Sequence, residues 1–155
     1  MKDSQTSQGT IPAVIKVVNV SLSVEAAFNL FTKGIASWWP LQSHSVGNEH
    51  AETCVFEARA GGRIYEIQDD GSQAEWGRVL TWEPPRRVIF SWHPGRKENT
   101  AQKVEVIFTA EKGSTRVELI HTGWELLGEQ ADEMRGQYES GWNTVLGQFV
   151  RQAVS

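Results

Sequence analysis

The stretch that decides the fold is FEARAGGRIYEIQDDGSQAEWGRVLTWEPPRRVIFSW, which covers Phe56–Trp92. Turn-forming residues interrupt it at Gly61–Gly62, at Asp69–Gly71 and at Pro84–Pro85. Between these turns, β-branched and aromatic residues dominate, and such residues favour extended strands. The stretch therefore predicts four antiparallel strands that follow one another along a sheet.

Strand patterns continue on both sides of this stretch. AQKVEVIFTAE and STRVELIHT flank a turn at Lys112–Gly113, and a β-branched segment, Ile11–Val20, precedes the stretch. The sequence thus predicts seven antiparallel strands. Side-chain alternation predicts one apolar inner face. Its members are Val88, Phe90, Trp92, Val104, Val106, Phe108, Val117, Leu119 and His121. In EWGRVLTW the alternation does not determine which face points inward, because Trp76 and Trp82 share a face with Arg78.

Helical periodicity appears twice. After the first strand, Ser23 is a good N-cap for an apolar stripe that Gly34 divides into two short helices. Residues 129–153 predict a long amphipathic helix, with Gly141 at the edge of its apolar arc. This helix alone is long enough to cover the sheet, so the predicted class is α+β, with a curved sheet around the C-terminal helix. The missing side chain of Gly141 predicts free space above the sheet.

Composition limits the function classes. The chain has 155 residues, a net charge of −4 and one cysteine. Its acidic balance and lack of a basic stripe argue against nucleic acid or an anionic membrane surface as partner. The single cysteine suits a reducing compartment, and no apolar run would span a membrane. We expect a disordered segment over residues 1–10 and one domain over 11–155, in a cytoplasmic monomer or homodimer.

Five segments carry a family resemblance: VEAAFNLFTKGIASWW (24–39), FEARAGGRIYE (56–66), WGRVLTWEPPRRVIFSW (76–92), TRVELIHTGW (115–124) and GW (141–142). Together they resemble the helix-grip fold of the START/Bet v 1-like (SRPBCC) superfamily. Within it, they resemble bacterial proteins named for their similarity to the activator of Hsp90 ATPase. The resemblance implies a cavity between sheet and helix, which in relatives holds apolar or amphipathic small molecules or, in a few, does chemistry. No segment resembles the chaperone-binding domain of the eukaryotic co-chaperone, so Hsp90 activation is not implied.

The candidate site is the set of residues expected to line this cavity. Each aromatic member could instead fill the core, but seven indole N–H groups need acceptors that a purely apolar core supplies poorly. A cavity that holds water or a polar ligand supplies them better. The nine candidates are Trp38, Trp39, Tyr65, Trp92, Phe108, His121, Tyr138, Gly141 and Trp142.

Other chemical groups give weaker signals. The spacing of His44, His50 and Cys54 matches no zinc template, so neither a metal nor a cofactor is predicted. Arg63 and Glu66 fall on opposite faces of their strand, and a solvated position is the commoner one for both. Cys54 shares a side with Phe56, which predicts a buried, unreactive thiol.

Three function classes follow from these observations. The preferred one is binding of a hydrophobic, apolar or aromatic, small molecule between the sheet and the C-terminal helix. The first alternative is an enzyme of polyketide cyclase or hydrolase type, with His121 or Glu66 as its acid or base. The second alternative is a protein-interaction module. For His121 the sequence leaves two roles open, a structural one and one that orients a ligand or carries a proton.

Overall fold

The structure is a computed structural model that describes residues 11–154. The segment expected to be disordered, residues 1–10, lies outside the described residues. The strands are β1 (Val14–Val20), β2 (Ala51–Phe56), β3 (Arg63–Gln68), β4 (Gln73–Glu83), β5 (Arg87–Trp92), β6 (Gln102–Glu111) and β7 (Ser114–Thr122). The α-helices are α1 (Val24–Phe31) and α2 (Ala131–Ala153), and short 3-10 helices cover Ile35–Ser37, Asn48–His50, Glu98–Thr100 and Trp124–Gln130.

All seven strands form one antiparallel sheet in the order β1-β7-β6-β5-β4-β3-β2. Strands β2 to β7 pair with their neighbours along the chain, and β1 completes the sheet beside β7. The sheet curves around α2, so the predicted helix-grip fold is confirmed. The side chains assigned to the inner face of β5, β6 and β7 are all buried, which confirms those faces. Within residues 11–154, no helix has the length and hydropathy to cross a membrane.

The two short helices after β1 form as the sequence predicts. The Ser23 hydroxyl accepts a hydrogen bond of 3.1 Å from the amide of Ala26, which caps α1 at its N-terminus. The helix ends at Phe31, and Gly34 precedes the 3-10 turn Ile35–Ser37. This break turns the chain so that Trp38 and Trp39 both reach the core.

Strand β4 shows why its alternation was ambiguous. Its register shifts once against β3 and once against β5, so that inner side chains recur at Trp76, Val79 and Trp82, three residues apart. Each extra residue reverses the alternation, as β-bulges do. Gly77 lies between the bulges, where a Cβ would collide with the backbone oxygen of Ser91. Glycine therefore allows β4 and β5 to approach each other at this point.

The two halves of α2 differ in what they cover. In the C-terminal half, Phe149 is fully buried, with ring centroids 5.3 Å from Phe31 and 5.1 Å from Trp38. In the N-terminal half, Tyr138 and Gly141 are only partly covered. The grip is therefore closed by aromatic packing at one end of the helix and open at the other end.

Candidate functional site

The open end of the grip contains a cleft of about 460 Å³. Its three sides are the N-terminal half of α2, the loop over residues 41–50, which we call the cleft loop, and the segment after β5. This volume lies within the range of small-molecule sites, roughly 300–1,000 Å³. The lining residues are Trp39, Ser43, His44, Ser45, Val46, Trp92, Pro94, Gly95, Met134, Gln137, Tyr138, Gly141, Trp142 and Val145.

Three indole rings form the floor of the cleft. The centroids of Trp39 and Trp92 are 5.7 Å apart, those of Trp92 and Trp142 are 5.8 Å apart, and Trp39 meets Trp142 edge-on at 6.0 Å. These separations lie within the range of favourable aromatic pairs, 4.5–7 Å by general surveys. Trp39, Trp92 and Trp142 come from the end of the first helical region, from β5 and from α2, so the fold itself assembles the floor.

The cleft loop supplies polar groups opposite the indoles. Ser43 Oγ and His44 Nδ1 share a hydrogen bond of 2.7 Å, and the backbone oxygen of His44 accepts one of 2.7 Å from Trp39 Nε1. His44 also faces Gly141, where an added Cβ would lie 3.7 Å from the imidazole. The free space at Gly141 therefore lies between α2 and the cleft loop, and not above the sheet as the sequence predicts.

Tyr138 joins the cleft to a buried polar network. Its hydroxyl accepts a hydrogen bond of 3.3 Å from the Arg96 guanidinium, which also donates to Gln102 Oε1 at 3.2 Å. Gln102 lies in turn 3.4 Å from His121 Nε2, and His121 Nδ1 accepts a bond of 2.9 Å from Trp142 Nε1. Two cleft side chains, Tyr138 and Trp142, are thus fixed from behind by groups that do not line the cleft.

His121 is the buried member of this network. It is 0% exposed, and its ring stacks on Trp124 with centroids 4.1 Å apart. Burial, followed by the positive charge of Arg96, lowers the pKa of His121 from 6.5 to about 3. The neutral ring accepts from Trp142 and donates towards Gln102, which makes His121 a structural side chain. The alternative in which it acts as the acid or base of a catalytic site has no support in this geometry.

Glu66 is also buried, although a solvated position was the commoner expectation. Its side chain lies on the inner face of β3, is 0% exposed, and accepts hydrogen bonds from the backbone amides of Val46 and Gly47. Gln68 Nε2 and Trp76 Nε1 donate to the same carboxylate. The sequence missed this role because the main-chain donors come from a loop about twenty positions away. Like His121, Glu66 lies behind the cleft wall and does not line it.

The nine predicted site residues divide into three groups. Five line the cleft, namely Trp39, Trp92, Tyr138, Gly141 and Trp142. Trp38, Phe108 and His121 are buried in the core without lining it. Tyr65 does not line this cleft, since its neighbours Ile64 and Glu66 occupy the inner face. Tyr65 therefore points outward, with the Arg63 guanidinium 4.2 Å from its ring centroid. Sequence reasoning missed the cleft loop, which has no periodicity to reveal its orientation.

Indole N–H groups provide a further check on the cleft. Five of the seven have protein acceptors: those of Trp38, Trp39, Trp76, Trp124 and Trp142. Trp92 Nε1 is buried and finds no acceptor within residues 11–154. Apart from that of Trp92, the buried indole N–H groups find acceptors in the core more readily than the sequence suggests. The acceptors are backbone oxygens, Glu66 and His121.

The single cysteine, Cys54, does not line the cleft. Cys54 is 3% exposed, and burial, followed by the charge of Glu66, raises the pKa of its thiol from 9.0 to about 12. The prediction of a buried thiol is confirmed, and a thiol with this pKa is protonated near neutral pH. Within the described residues, His, Cys, Asp and Glu side chains form no group of three or more that would hold a metal ion.

Comparisons with known proteins agree with this architecture. The model of the family described as "Activator of Hsp90 ATPase homolog 1-like protein" matches residues 21–153. The chain belongs to this family. Among solved structures, Txn09, an anthrahydroquino-γ-pyrone synthase, is 32% identical over 92% of this chain and 97% of its own, with a TM-score of 0.62. No curated protein matches the chain significantly.

Two other solved structures are more distant from this chain in sequence. CalU16 from Micromonospora echinospora is 24% identical over 94% of this chain and 81% of its own, with a TM-score of 0.63. The Aha1 dimer from Colwellia psychrerythraea is 15% identical over 90% of this chain and 94% of its own, with a TM-score of 0.66. At these identities the likeness concerns the fold alone. The family match and the fold support a ligand-binding or cyclase-type role in general.

Proposed function

We propose that the cleft binds one planar, aromatic, oxygen-bearing small molecule. The observation that carries this proposal is the floor of three indoles, Trp39, Trp92 and Trp142, beneath an open volume of about 460 Å³. Flat aromatic surfaces favour ring-shaped ligands, because offset and edge-on contacts between rings add to the gain from burial. A flexible aliphatic chain would bury apolar area there without this additional gain.

The rim of the cleft favours a ligand that carries oxygen atoms. Ser43, His44 and Ser45 lie on the cleft loop, and Tyr138 lines the cleft from α2. A few polar groups around an apolar floor fix the orientation of a ligand and give specificity. The similarity to an anthrahydroquino-γ-pyrone synthase supports the same ligand class, since the product named for that relative is a fused, oxygenated aromatic system.

A titration with dihydroxyanthraquinone tests the proposal. Quenching of tryptophan emission should be saturable, with a stoichiometry of one, while a medium-chain fatty acid at the same concentrations should bind more weakly. The two tyrosines give a matched pair of variants. Tyr138→Ala should weaken binding about tenfold by loss of an aromatic contact and its burial, and Tyr65→Ala, on the outer face, should leave the affinity unchanged. A linear, non-saturable response, or equal loss in both variants, contradicts the proposal.

A second candidate function is a ring-closing enzyme, favoured by the 32% identity with a synthase. Such closures add a hydroxyl oxygen to an electrophilic carbon of the same molecule. The hydroxyl gives up its proton to a base, and an acid donates one to the conjugated carbonyl, so that no oxidant or reductant is needed. General acids and bases of this kind contribute roughly 10²–10⁴ to a rate.

Within the cleft, His44 and Tyr138 are the groups that fit these two roles. The imidazole of His44 shares a hydrogen bond with Ser43, which orients its ring. The Tyr138 oxygen already accepts from Arg96, and a hydroxyl whose oxygen accepts a charge-assisted bond donates more strongly itself. Gly141, one helical turn after Tyr138, lies beside His44, so both groups face the same part of the cleft.

The enzyme alternative is tested with a synthetic 2-hydroxyaryl alkynyl ketone, whose closure gives a pyrone without an oxidant. The product is an isomer of the substrate, so it is separated and measured by liquid chromatography. His44→Ala should lower kcat about 100-fold or more while the Kd for unreactive dihydroxyanthraquinone changes little. His50→Ala is the control, because His50 is an exposed histidine that does not line the cleft. Binding without any product, in a panel of such ketones, favours the binding protein over the enzyme.

A further inference from the structure

Glu66 carries a buried charge without a cation. Its Oε1 accepts from Val46 N at 2.7 Å and from Trp76 Nε1 at 2.7 Å. Its Oε2 accepts from Gly47 N at 2.8 Å and from Gln68 Nε2 at 3.0 Å. All four partners are N–H groups, and no ion pair to Glu66 exists within residues 11–154. An apolar side chain would fill this place at a lower cost, because burial of a charge is expensive.

Two of these donors belong to the cleft loop. Val46 lines the cleft, and Gly47 directly follows it in the cleft loop. Their amide N–H groups are consecutive along the backbone. A carboxylate is the one protein side chain with two acceptor oxygens for such a pair. Glu66 therefore connects the sheet to the cleft loop from behind, at the point where the loop faces the ligand volume.

Gly47 allows this close approach. A Cβ at position 47 would lie 2.6 Å from Gln68 Nε2, the same nitrogen that donates to Glu66. Any larger residue would push the Gln68 amide away from the carboxylate. The glycine in the loop, the carboxylate on β3 and the amide of Gln68 thus form one arrangement that holds the loop against the sheet.

We infer that Glu66 is a positioning residue, which sets the shape of the ligand cleft by fixing Val46 and Gly47 while touching no ligand itself. The inference rests on the proposed binding function for its effect on a ligand. Its effect on the loop is independent of any ligand. The residue acts through the loop, and the geometry gives it no role as an acid or base in a reaction.

Amide hydrogen exchange in the wild-type protein gives the first test. The amides of Val46 and Gly47 should exchange more slowly than that of Ser43, whose acceptor is the backbone oxygen of Pro40 in the same loop. A fully buried acceptor protects its donor, because exchange then requires the loop to leave the sheet. Equal, fast exchange at all three amides would overturn the inference without any variant being needed.

The variant Glu66→Gln gives the second test. Its single carbonyl oxygen can replace only one carboxylate oxygen, so either Val46 or Gly47 must face an NH₂ group in place of an acceptor. Exchange at one of these amides should accelerate about tenfold or more, the effect of losing a bond to a charged acceptor. The amides of β5 and β6 should keep their protection. Glu105→Gln is the control, since Glu105 is a partly buried carboxylate on the outer face, paired with Arg87.

Ligand binding completes the experiment. Dihydroxyanthraquinone should bind Glu66→Gln about tenfold more weakly than wild type or Glu105→Gln, because the loop wall is no longer fixed. Faster exchange at Val46 or Gly47 with unchanged affinity would overturn the claim that Glu66 shapes the cleft. A probe that fails to bind even the wild type would instead refute the proposed function, and the exchange rates would still decide whether Glu66 holds the loop.

Discussion

At the scale of single residues, two buried tryptophans separate the effect of packing from that of hydrogen bonding. Trp76 is 0% exposed and donates to the Glu66 carboxylate, whereas Trp92 is 3% exposed and its N–H has no acceptor within the described residues. Both rings are large, so replacing either with phenylalanine removes a similar volume. Only the first replacement takes a donor from a buried charge.

Trp76→Phe should therefore destabilise the protein more than Trp92→Phe. The expected difference in the free energy of unfolding is about 1.5–3 kcal/mol, the contribution of a hydrogen bond to a charged group. Denaturant unfolding of both variants, with equal m-values, measures it. Equal losses would mean that the bond between Trp76 and Glu66 contributes nothing beyond packing.

His121 should account for part of the loss of folding stability at acidic pH. Its pKa is lowered to about 3 in the folded chain, against 6.5 without burial. As pH falls below about 6.5, the unfolded chain takes up a proton that folded His121 refuses, so stability is full above this pH and declines towards pH 3. The slope for one such group is roughly 1 kcal/mol for each pH unit.

His121→Gln should flatten this slope, because glutamine retains an acceptor for Trp142 but does not titrate. The free energy of unfolding of variant and wild type is measured from pH 3.5 to pH 7. The prediction is checked by whether the slope against pH is smaller in the variant. His50→Gln serves as control, since the side chain of His50 is 66% exposed. If both variants keep the wild-type slope, the acid sensitivity arises elsewhere in the molecule.

At the scale of elements, the sequence predicts those strand faces and helix boundaries that follow from a regular pattern of side chains. The inner faces of β5, β6 and β7 follow from alternation, and the break after α1 follows from Gly34. Strand β4 escapes such reasoning because two bulges reverse its alternation. The cleft loop escapes it because its position depends on Glu66, a contact between residues about twenty positions apart that no local pattern records. The aromatic floor was therefore largely predictable, and the polar wall was not.

Helix α2 offers a test of the free space beside it. Gly141 faces the cleft, with its nearest neighbour 3.7 Å from an added Cβ, whereas Gly136 has no atom within 4 Å. Gly141→Ala should raise stability by about 0.5–1 kcal/mol through helix propensity. Gly141→Leu should keep the wild-type Tm or raise it, and should weaken binding of dihydroxyanthraquinone by filling the cleft.

Gly136→Leu is the matched control for this helix. It gains the same helix propensity on an exposed face, and the affinity for the probe should stay at the wild-type value. If Gly141→Leu lowers the Tm while Gly136→Leu does not, leucine overpacks the space beside His44. That result would mean that the helix and the cleft loop are in closer contact than the structure shows.

At the scale of the whole molecule, the two ends of the grip differ in how the helix meets its neighbours. Aromatic packing around Phe149 closes one end of the grip, and the cleft occupies the other end, between α2 and a loop without regular strands. A ligand in the cleft would contact the sheet through Trp92, the helix through Tyr138 and the loop through Val46. It would thus join the sheet, the helix and the cleft loop through direct contacts of its own.

Ligand binding should therefore raise the thermal stability of the whole domain. At a probe concentration 100 times the Kd, linkage adds about 2.7 kcal/mol to the free energy of unfolding. For a chain of this length, each kcal/mol corresponds to roughly 2–4 °C, so the expected rise in Tm is about 5–10 °C. Calorimetry with dihydroxyanthraquinone measures this rise, and Gly141→Leu at the same probe concentration should show little of it. A probe that quenches tryptophan emission yet leaves the Tm of the wild type unchanged does not prefer the folded state to the unfolded chain, and the proposed site would then be wrong.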